Sequence, residues 1–241
     1  MESSQKIVKA LCVWFFMEEG YKVKILHVGH VTHDVKRFMI EKPAEYMFVP
    51  GQACDVAIDK DGWREKQRPF TFTCLNDSPN LEFTIKIYTV HQGVTNELGK
   101  LNEGDSLIIS EPWGAIQYKG KGVFIAGGAG VTPFIAILRA LRSKGNLNGN
   151  TLIFSNKTEK DIILHEEFDA MSKEGLRVIY TLTREGNENY CYGRIDSEFL
   201  RNHIRDFNQY FYICGPIRMV GELQRVIRNM GAHADAIVVE T

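Results

Sequence analysis

The sequence has almost no net charge, and its few cysteines form no recognisable motif. Its 241 residues carry 29 lysines and arginines against 30 aspartates and glutamates, a formal net charge of −1. Because it has no basic surplus, nucleic acid is not expected as its main partner. Five scattered cysteines without a C-x-x-C pair disfavour a disulfide framework, a four-cysteine zinc site and an iron–sulfur cluster, so no metal site is expected. Free cysteines are typical of reducing compartments, and we expect a cytoplasmic protein.

Long apolar runs and common hydrolase motifs are also missing. The apolar stretch 10–17 is far shorter than the roughly 20 residues that a membrane span needs, so we expect no span. Residues 1–20 are interpreted as an N-terminal extension, either a short helix packed on the domain or residues upstream of a true start at Met17. Residues 93–100 (GVTNELGK) have the wrong glycine spacing for a P-loop, and no G-x-S-x-G occurs. ATPase and serine hydrolase functions are therefore disfavoured.

The body of the chain has two different patterns. From residue 21 to about 118, short β-branched and aromatic runs alternate with turn residues, which is typical of a small antiparallel β-barrel. From Lys121 onward, apolar strands alternate with helical patterns, which predicts an α/β domain with a parallel sheet. We therefore predict a barrel domain over residues 21–118 and a nucleotide-binding α/β domain over residues 119–241. The predicted strands include 21–28, 70–75, 81–90, 106–110, 123–126, 151–155, 177–181, 210–214 and 236–239.

Two strand-to-helix turns carry the strongest functional signal. In the first, residues 126–133 (AGGAGVTP), a strand runs into glycines, followed by Thr132 as the N-cap and Pro133 at the first helical position. Glycines let the backbone approach a ligand, and the free N–H groups of a helix start favour an anion. The second, residues 214–216 (CGP), places Cys214 at the carboxyl end of a strand. A tight turn without a ligand and an inert packed cysteine are the alternatives, but two such turns in one sheet favour a nucleotide cleft.

The barrel half contributes two further short motifs. In residues 68–71 (RPFT), an arginine, an aromatic ring and a hydroxyl would supply a phosphate clamp, a stacking face and a hydrogen-bond partner. Residues 93–96 (GVTN) precede a short possible helix, which would make a second anion-binding turn.

In this order, from the barrel through R-P-F-T, G-V-T-N, G-G-A-G-V-T-P and C-G-P to a glutamate near the end, the sequence resembles the ferredoxin–NADP⁺ reductase family. The resemblance covers about residues 21–241 and is greatest to the bacterial flavodoxin/ferredoxin reductase branch. It implies a flavoprotein oxidoreductase with FAD, FMN being less expected, and with NADP(H), NADH being possible. It further implies that electrons pass from NADPH through FAD to a flavodoxin or ferredoxin.

The resemblance also implies roles for individual residues. Arg68 would clamp the flavin phosphate, Phe70 would lie on the isoalloxazine ring, and Thr71 would hydrogen-bond near the reactive flavin nitrogen. Cys214 would lie near the hydride-bearing carbon of the nicotinamide, and Glu240 would give proton or electrostatic support. Thr71, Cys214 and Glu240 are thus the catalytic candidates. The other flavin candidates are Pro69, Ile85, Lys86, Ile87, Gly93, Val94 and Thr95, and the other nucleotide candidates are Gly128, Gly130, Val131, Thr132, Pro133, Lys157, Thr183, Arg184, Tyr190, Gly215 and Pro216.

Two questions stay open at this point. Thr183 and Arg184 resemble the family's Ser-Arg pair that grips the 2′-phosphate, which favours NADPH, but both would also suit a solvated loop. Phe70 replaces the family's tyrosine, and this fits an NAD(P)H:flavin oxidoreductase that uses flavin as a dissociable substrate. A third function is that of an electron-transfer subunit in a larger redox complex.

Overall fold

The structure is a computed structural model that describes residues 20–114, 116–186 and 188–239. The predicted extension, apart from Gly20, and the catalytic candidate Glu240 lie outside the described residues. Within the described ranges, no helix combines the length and the apolar character needed to cross a bilayer.

The N-terminal half is a six-stranded antiparallel sheet with the strand order β4-β3-β6-β1-β2-β5. An additional bridge between Phe72 and Phe83 joins the two ends of this order, so that the sheet closes as a barrel. A short helix, α1 (Val94–Leu98), lies between β5 and β6. The predicted antiparallel barrel is confirmed. The strands are β1 (Tyr21–Thr32), β2 (Val35–Glu41), β3 (Ala53–Ile58), β4 (Arg68–Thr71), β5 (Asn80–Lys86) and β6 (Ser106–Ile109).

Aromatic rings fill the barrel interior. Phe38 on β2 and Phe83 on β5 are opposite one another in the register and are fully buried. Phe72 stacks on both Phe83 and Phe48, with ring centroids 5.2 and 4.3 Å apart. Such stacked pairs bury large apolar areas, and here they support the end of β4 from inside the barrel.

The C-terminal half is a six-stranded parallel sheet with the order β10-β9-β8-β7-β11-β12. The chain moves outward from β7 to β8 and β9, then returns to the other side of β7 for β11, so the switch point lies between β7 and β11. Helices cover both faces of the sheet, as predicted. The strands are β7 (Gly122–Gly127), β8 (Thr151–Asn156), β9 (Arg177–Leu182), β10 (Cys191–Tyr192), β11 (Tyr210–Cys214) and β12 (Ile237–Val239). The helices are α2 (Thr132–Ser143), α3 (His165–Lys173), α4 (Ser197–His203) and α5 (Ile217–Asn229).

Three local predictions were wrong. The strand predicted over 70–75 lies instead at Arg68–Thr71, and Phe72 beyond it makes an isolated bridge to Phe83. The strand predicted over 81–90 ends at Lys86, opposite Val35, where its partner β2 begins. The Ile87 amide still donates to the Asp34 carbonyl at 2.8 Å, but Asp34 belongs to the turn between β1 and β2, so the ladder stops there. Thr132 is not an N-cap but the first residue of α2, since a 3₁₀ turn over Gly128–Val131 comes before it. The Thr132 hydroxyl donates to the Ala129 carbonyl, at 3.0 Å, and so ties the helix back to that turn.

One arginine connects the two halves. Arg139 on α2 makes a bidentate pair with Glu167 on α3, at 2.6 and 2.7 Å, and a 2.7 Å bond to Glu82 on β5. It also donates to the Thr73 carbonyl of the barrel at 2.7 Å. Burial lowers the pKa of the Arg139 guanidinium, but the bonds to Glu167 and Glu82 outweigh burial and raise it above its ordinary value. The guanidinium is therefore a permanent cation between two carboxylates.

We predict that Arg139→Leu strongly destabilises the protein. The substitution leaves Glu82 and Glu167 partly buried without their counter-charge, which costs on the order of 3 kcal/mol. Urea unfolding, followed by circular dichroism, measures this loss. Arg142→Leu on the same helix is the matched control, because its partner Glu174 is at the surface and such pairs contribute little. Equal effects of the two substitutions would contradict the role given to Arg139.

Candidate functional site

A cavity of about 590 Å³ lies at the carboxyl edge of the parallel sheet and is lined by both halves of the molecule. Lys86 and Tyr88 come from the barrel, and the segments that follow β7, β8, β9, β10 and β11 supply the other walls. Ligands of open α/β sheets bind at this edge. Of the predicted site residues, the cavity brings together Lys86, Gly128, Lys157, Thr183 and Pro216.

The two glycine turns touch each other backbone to backbone beside the cavity. A Cβ on Gly130 would lie 2.4 Å from the Cys214 carbonyl oxygen. A Cβ on Gly215, whose φ is +155°, would lie 3.1 Å from the backbone of Gly127. At Gly130 only glycine fits, because the opposing atoms are main chain and cannot move aside. At Gly215 a side chain would also be strained by the positive φ.

Gly128 differs from the other glycines of its turn. Its φ is +53°, and nothing lies within 4 Å of the position that a Cβ would occupy. The residue lines the cavity. The open space in front of Gly128 and the N–H groups at the start of α2 fit the pyrophosphate of a nicotinamide nucleotide.

The R-P-F-T segment forms β4 with one end exposed. Arg68 and Pro69 are exposed, Phe70 is half-buried, and Thr71 is 8% exposed. The Phe70 ring packs on Phe83 with centroids 6.4 Å apart. An exposed guanidinium and a partly open ring on the same short strand fit a flavin with its phosphate.

The other predicted flavin residues lie on β5 and at the start of α1. Ile85 and Val94 are buried in the barrel core, so only their main chain can face a cofactor. Gly93 comes directly before α1 and has no atom within 4 Å of an ideal Cβ. Thr95 and Ile87 are half-buried. The open space at Gly93 fits the phosphate groups of FAD.

Lys86 is held beside the cavity by an ion pair. Its Nζ lies 2.7 Å from Oδ2 of Asp34, in the turn between β1 and β2. Burial raises the pKa of the Asp34 carboxyl, but the bond to Lys86 and its positive charge outweigh burial and lower the pKa overall. The His33 Nε2 lies 3.7 Å from Asp34 and 3.8 Å from Asp161 of the C-terminal half. These groups connect the halves at the edge of the cavity.

The loops after β8 and β9 are hydrogen-bonded to one another. The Thr183 amide and hydroxyl both donate to the Asn156 carbonyl, at 2.9 and 3.2 Å. The amide of Arg184 donates to the Lys157 carbonyl at 2.9 Å, and its side chain is exposed. The main chain thus holds Thr183 at the cavity wall, whereas Arg184 is not a lining residue.

Tyr190 lies next to this pair of loops, outside the cavity. Its hydroxyl donates to Glu159 at 2.9 Å. Burial, together with this bond, raises the pKa of Tyr190 to about 12. The ring therefore stays neutral, with its proton directed to a carboxylate.

The remaining predicted residues do not line the cavity. Val131 and Pro133 are buried, and Thr132 is half-buried, so this segment offers its main chain. Cys214 ends β11, opposite Ala126 of β7. Phe70, Thr71 and Cys214 do not line the cavity, and their ligand contacts stay predictions, as do those of the other candidates.

Sequence reasoning missed several of the cavity residues. Tyr88 falls within a predicted strand, which gives no sign of a ligand contact. Arg194 follows β10, a two-residue strand too short to recognise from the sequence, and Arg218 is the second residue of α5. Asn156 is the last residue of β8, and only its position at a strand end gave any signal.

Two family models match the chain. One is an oxidoreductase FAD-binding domain, over residues 22–118, and the other an oxidoreductase NAD-binding domain, over residues 124–225. An NADH-cytochrome b5 reductase 1 from Ajellomyces capsulatus is 30% identical over 229 residues, which cover 86% of this chain and 73% of that protein. A second NADH-cytochrome b5 reductase 1, from Aspergillus terreus, is 27% identical over 93% of this chain and 86% of its own length.

Solved structures share the two-domain fold. A ferredoxin NADP⁺ reductase from Neisseria gonorrhoeae with bound FAD and NADP has a TM-score of 0.81 at 22% identity, covering 92% of this chain and 98% of that one. With the two family models and the 30% identical relative, this chain belongs to the ferredoxin–NADP⁺ reductase family of FAD- and NAD-binding oxidoreductases. The CS-b5R domains of human Ncb5or, with a TM-score of 0.80 and 27% identity, cover 92% of this chain and 69% of that one. The predicted family, and the prediction of FAD and a nicotinamide nucleotide as cofactors, are confirmed.

For this ferredoxin–NADP⁺ reductase family member, Gly130→Ala should lower the rate of flavin reduction by the nicotinamide nucleotide at least tenfold. The new methyl group would displace the Cys214–Gly215 main chain, whose position depends on the contact with Gly130. Stopped-flow absorbance measures the rate, and the FAD content should not change. Gly221→Ala on α5, where an added Cβ meets nothing, is the control. A normal rate for Gly130→Ala would show that the turns do not need this contact.

Proposed function

We propose that this protein passes electrons from NADPH, through bound FAD, to a separate one-electron carrier protein of the flavodoxin or ferredoxin type. The observation that carries the proposal is the cavity that the FAD-binding barrel shares with the NAD-binding domain. A shared cavity allows a nucleotide to approach the flavin side of the molecule. Holding two reactants together in the right orientation can lower the activation barrier by roughly 7–11 kcal/mol.

The chain's own residues bind and orient the two cofactors. When bound, FAD supplies the chemistry that side chains lack, since it accepts a hydride and gives up electrons singly. Arg68 and the turn at Gly93 would bind the flavin phosphates, and Phe70 would pack on the ring. The glycine turn at Gly128 would bind the nucleotide pyrophosphate, and the positive charge of Lys86, paired with Asp34, would lie beside the bound nucleotide.

The proposal predicts a yellow protein that NADPH bleaches. Gel-filtered protein should keep about one FAD per chain, lose its flavin absorbance under anaerobic NADPH, and regain it when an oxidised carrier is added. A protein that stays colourless after incubation with FAD contradicts the proposal. Flavin that is reduced but lost on gel filtration supports instead the dissociable-flavin oxidoreductase, which Phe70 favours.

The choice of carrier is tested in the same assay. Flavodoxin, ferredoxin and cytochrome b5 are added separately to the reduced enzyme, and the reoxidation rates are compared. Cytochrome b5 is the second candidate, because relatives of up to 30% identity are named NADH-cytochrome b5 reductases. Reoxidation by none of the three, together with activity that appears only in a complex, supports the subunit function.

Specificity for NADPH is supported by cationic side chains at the adenosine end of the cavity. Lys157 and Arg194 line it, and the exposed Arg184 follows Thr183 directly. Arginine binds phosphate oxygens through two parallel hydrogen bonds, each charge-assisted. These cations favour the additional phosphate that distinguishes NADPH from NADH.

We predict that Arg184→Ala raises the KM for NADPH at least tenfold and leaves the KM for NADH nearly unchanged. The loss of a charge-assisted bond to the 2′-phosphate, about 1.5–3 kcal/mol, accounts for this size. Steady-state kinetics with an artificial electron acceptor measure both constants. Arg201→Ala, an exposed arginine on α4, is the control. An equal loss with both nucleotides refutes the assignment of Arg184.

A further inference from the structure

The side-chain amide of Asn156, the last residue of β8, is unusual because it is buried without hydrogen bonds. The residue is 5% exposed, yet neither Nδ2 nor Oδ1 of its amide has a hydrogen-bond partner. Across the described ranges, these are the buried side-chain nitrogen and oxygen atoms left unpaired. Buried amides are paired in the great majority of cases, so an unpaired one needs a specific reason.

Asn150 in the same domain shows how the fold treats a buried asparagine elsewhere. It is 1% exposed, and its Oδ1 accepts from the Gly122 amide at 3.2 Å. Its Nδ2 donates to the carbonyls of Asn146 and Leu147, at 3.1 and 3.2 Å. The domain therefore pairs a structural asparagine completely, which makes the unpaired amide of Asn156 unsuited to a purely structural role.

Asn156 lines the cavity and is held firmly there. Its carbonyl accepts two hydrogen bonds from Thr183, and its strand β8 lies between β7 and β9 in the sheet. The main chain of Asn156 is therefore held at the cavity wall, whereas its side-chain amide makes no hydrogen bond that would hold it. Gly128 at the end of β7 also lines the cavity and has open space in front of it, so a ligand can approach from that side.

The sheet order indicates which part of a nucleotide lies over Asn156. The turn at Gly128 after β7 would bind the pyrophosphate, and Cys214 after β11 lies on one side of it. Asn156 after β8 lies on the other side, together with Thr183, Lys157 and Arg194. The resemblance implies a nicotinamide at Cys214, so the ADP-ribose half would lie on the side of Asn156. A ribose hydroxyl both donates and accepts hydrogen bonds, whereas a phosphate only accepts, so a sugar edge satisfies both amide atoms.

We propose that Asn156 is a nucleotide-binding residue whose amide is paired only in the complex, with ribose hydroxyls of the ADP-ribose half. The inference rests on the proposed function, because it needs a nucleotide in the cavity. Since both amide atoms are shielded from solvent in the structure, binding includes a small shift of the amide or of the turn at Gly128.

The proposal predicts effects of opposite sign on stability and on binding. Asn156→Leu replaces an unpaired amide by an apolar group of similar volume, so the melting temperature of the nucleotide-free, FAD-loaded protein should rise by about 2 °C or more. The same substitution should weaken binding of ADP-ribose at least tenfold, measured by calorimetry. The KM for NADPH should rise by a similar factor with kcat within twofold, as expected for lost uniform binding.

Asn150→Leu is the matched control. It removes an amide that is fully paired, so the melting temperature should fall while the affinity for ADP-ribose is unchanged. If Asn156→Leu does not give folded protein, the proposal has failed on stability, and Asn156→Ala still measures whether the amide binds ADP-ribose. A lower melting temperature for Asn156→Leu, or unchanged ADP-ribose binding, overturns the proposal.

The design separates this inference from the proposed function. Wild-type protein that binds ADP-ribose and is reduced by NADPH, together with an Asn156→Leu variant that binds ADP-ribose equally well, overturns the role of Asn156 alone. Wild-type protein that binds neither ADP-ribose nor NADPH overturns the proposed function, and the role of Asn156 with it.

Discussion

The backbone contact between the two glycine turns determines the geometry of the nucleotide site. Gly130 lies against the Cys214 carbonyl, and Gly215 lies against Gly127, with no room for a side chain at either point. The segment before α2 and the end of β11 are thereby held in direct contact, main chain against main chain. Everything that the site is proposed to do, from binding the pyrophosphate to placing the nicotinamide, depends on these two segments keeping that separation.

A second constraint acts between the halves. Arg139 joins α2 and α3 to the barrel strand β5, and Lys86 at the end of the same strand reaches the cavity. Through Asp34 and His33, that end of β5 is also connected with Asp161 of the C-terminal half. The strand that carries the flavin candidates is therefore attached to the nucleotide domain at two points along its length. A cavity walled by two domains keeps its shape only if they do not slide, and these polar contacts oppose sliding.

The fold, and a few of the residues that line the cavity, could be predicted from the sequence because they depend on local signals. Short alternating runs and strand–helix alternation distinguish the halves, and glycines with Pro133 mark the turn before α2. The end of β5 was not readable, since it depends on where β2 begins rather than on the residues after Lys86. The hydrogen bonds of Arg139 join residues far apart in the chain, and no local sequence pattern predicts the partners of such bonds.

Asn156 illustrates the limit of local reasoning in a different way. Its position at the carboxyl end of β8 is the one local signal that separates it from Asn150, which precedes the strand, and that position is also typical of an ordinary turn residue. The distinction appears only when hydrogen bonds are assigned, because one amide is fully paired and the other has no partner. Proteins retain such locally unfavourable groups chiefly where function repays the loss of stability. Asn156 and the left-handed Gly128 lie together at the cavity wall. This coincidence is the physical argument that the wall is built for a ligand.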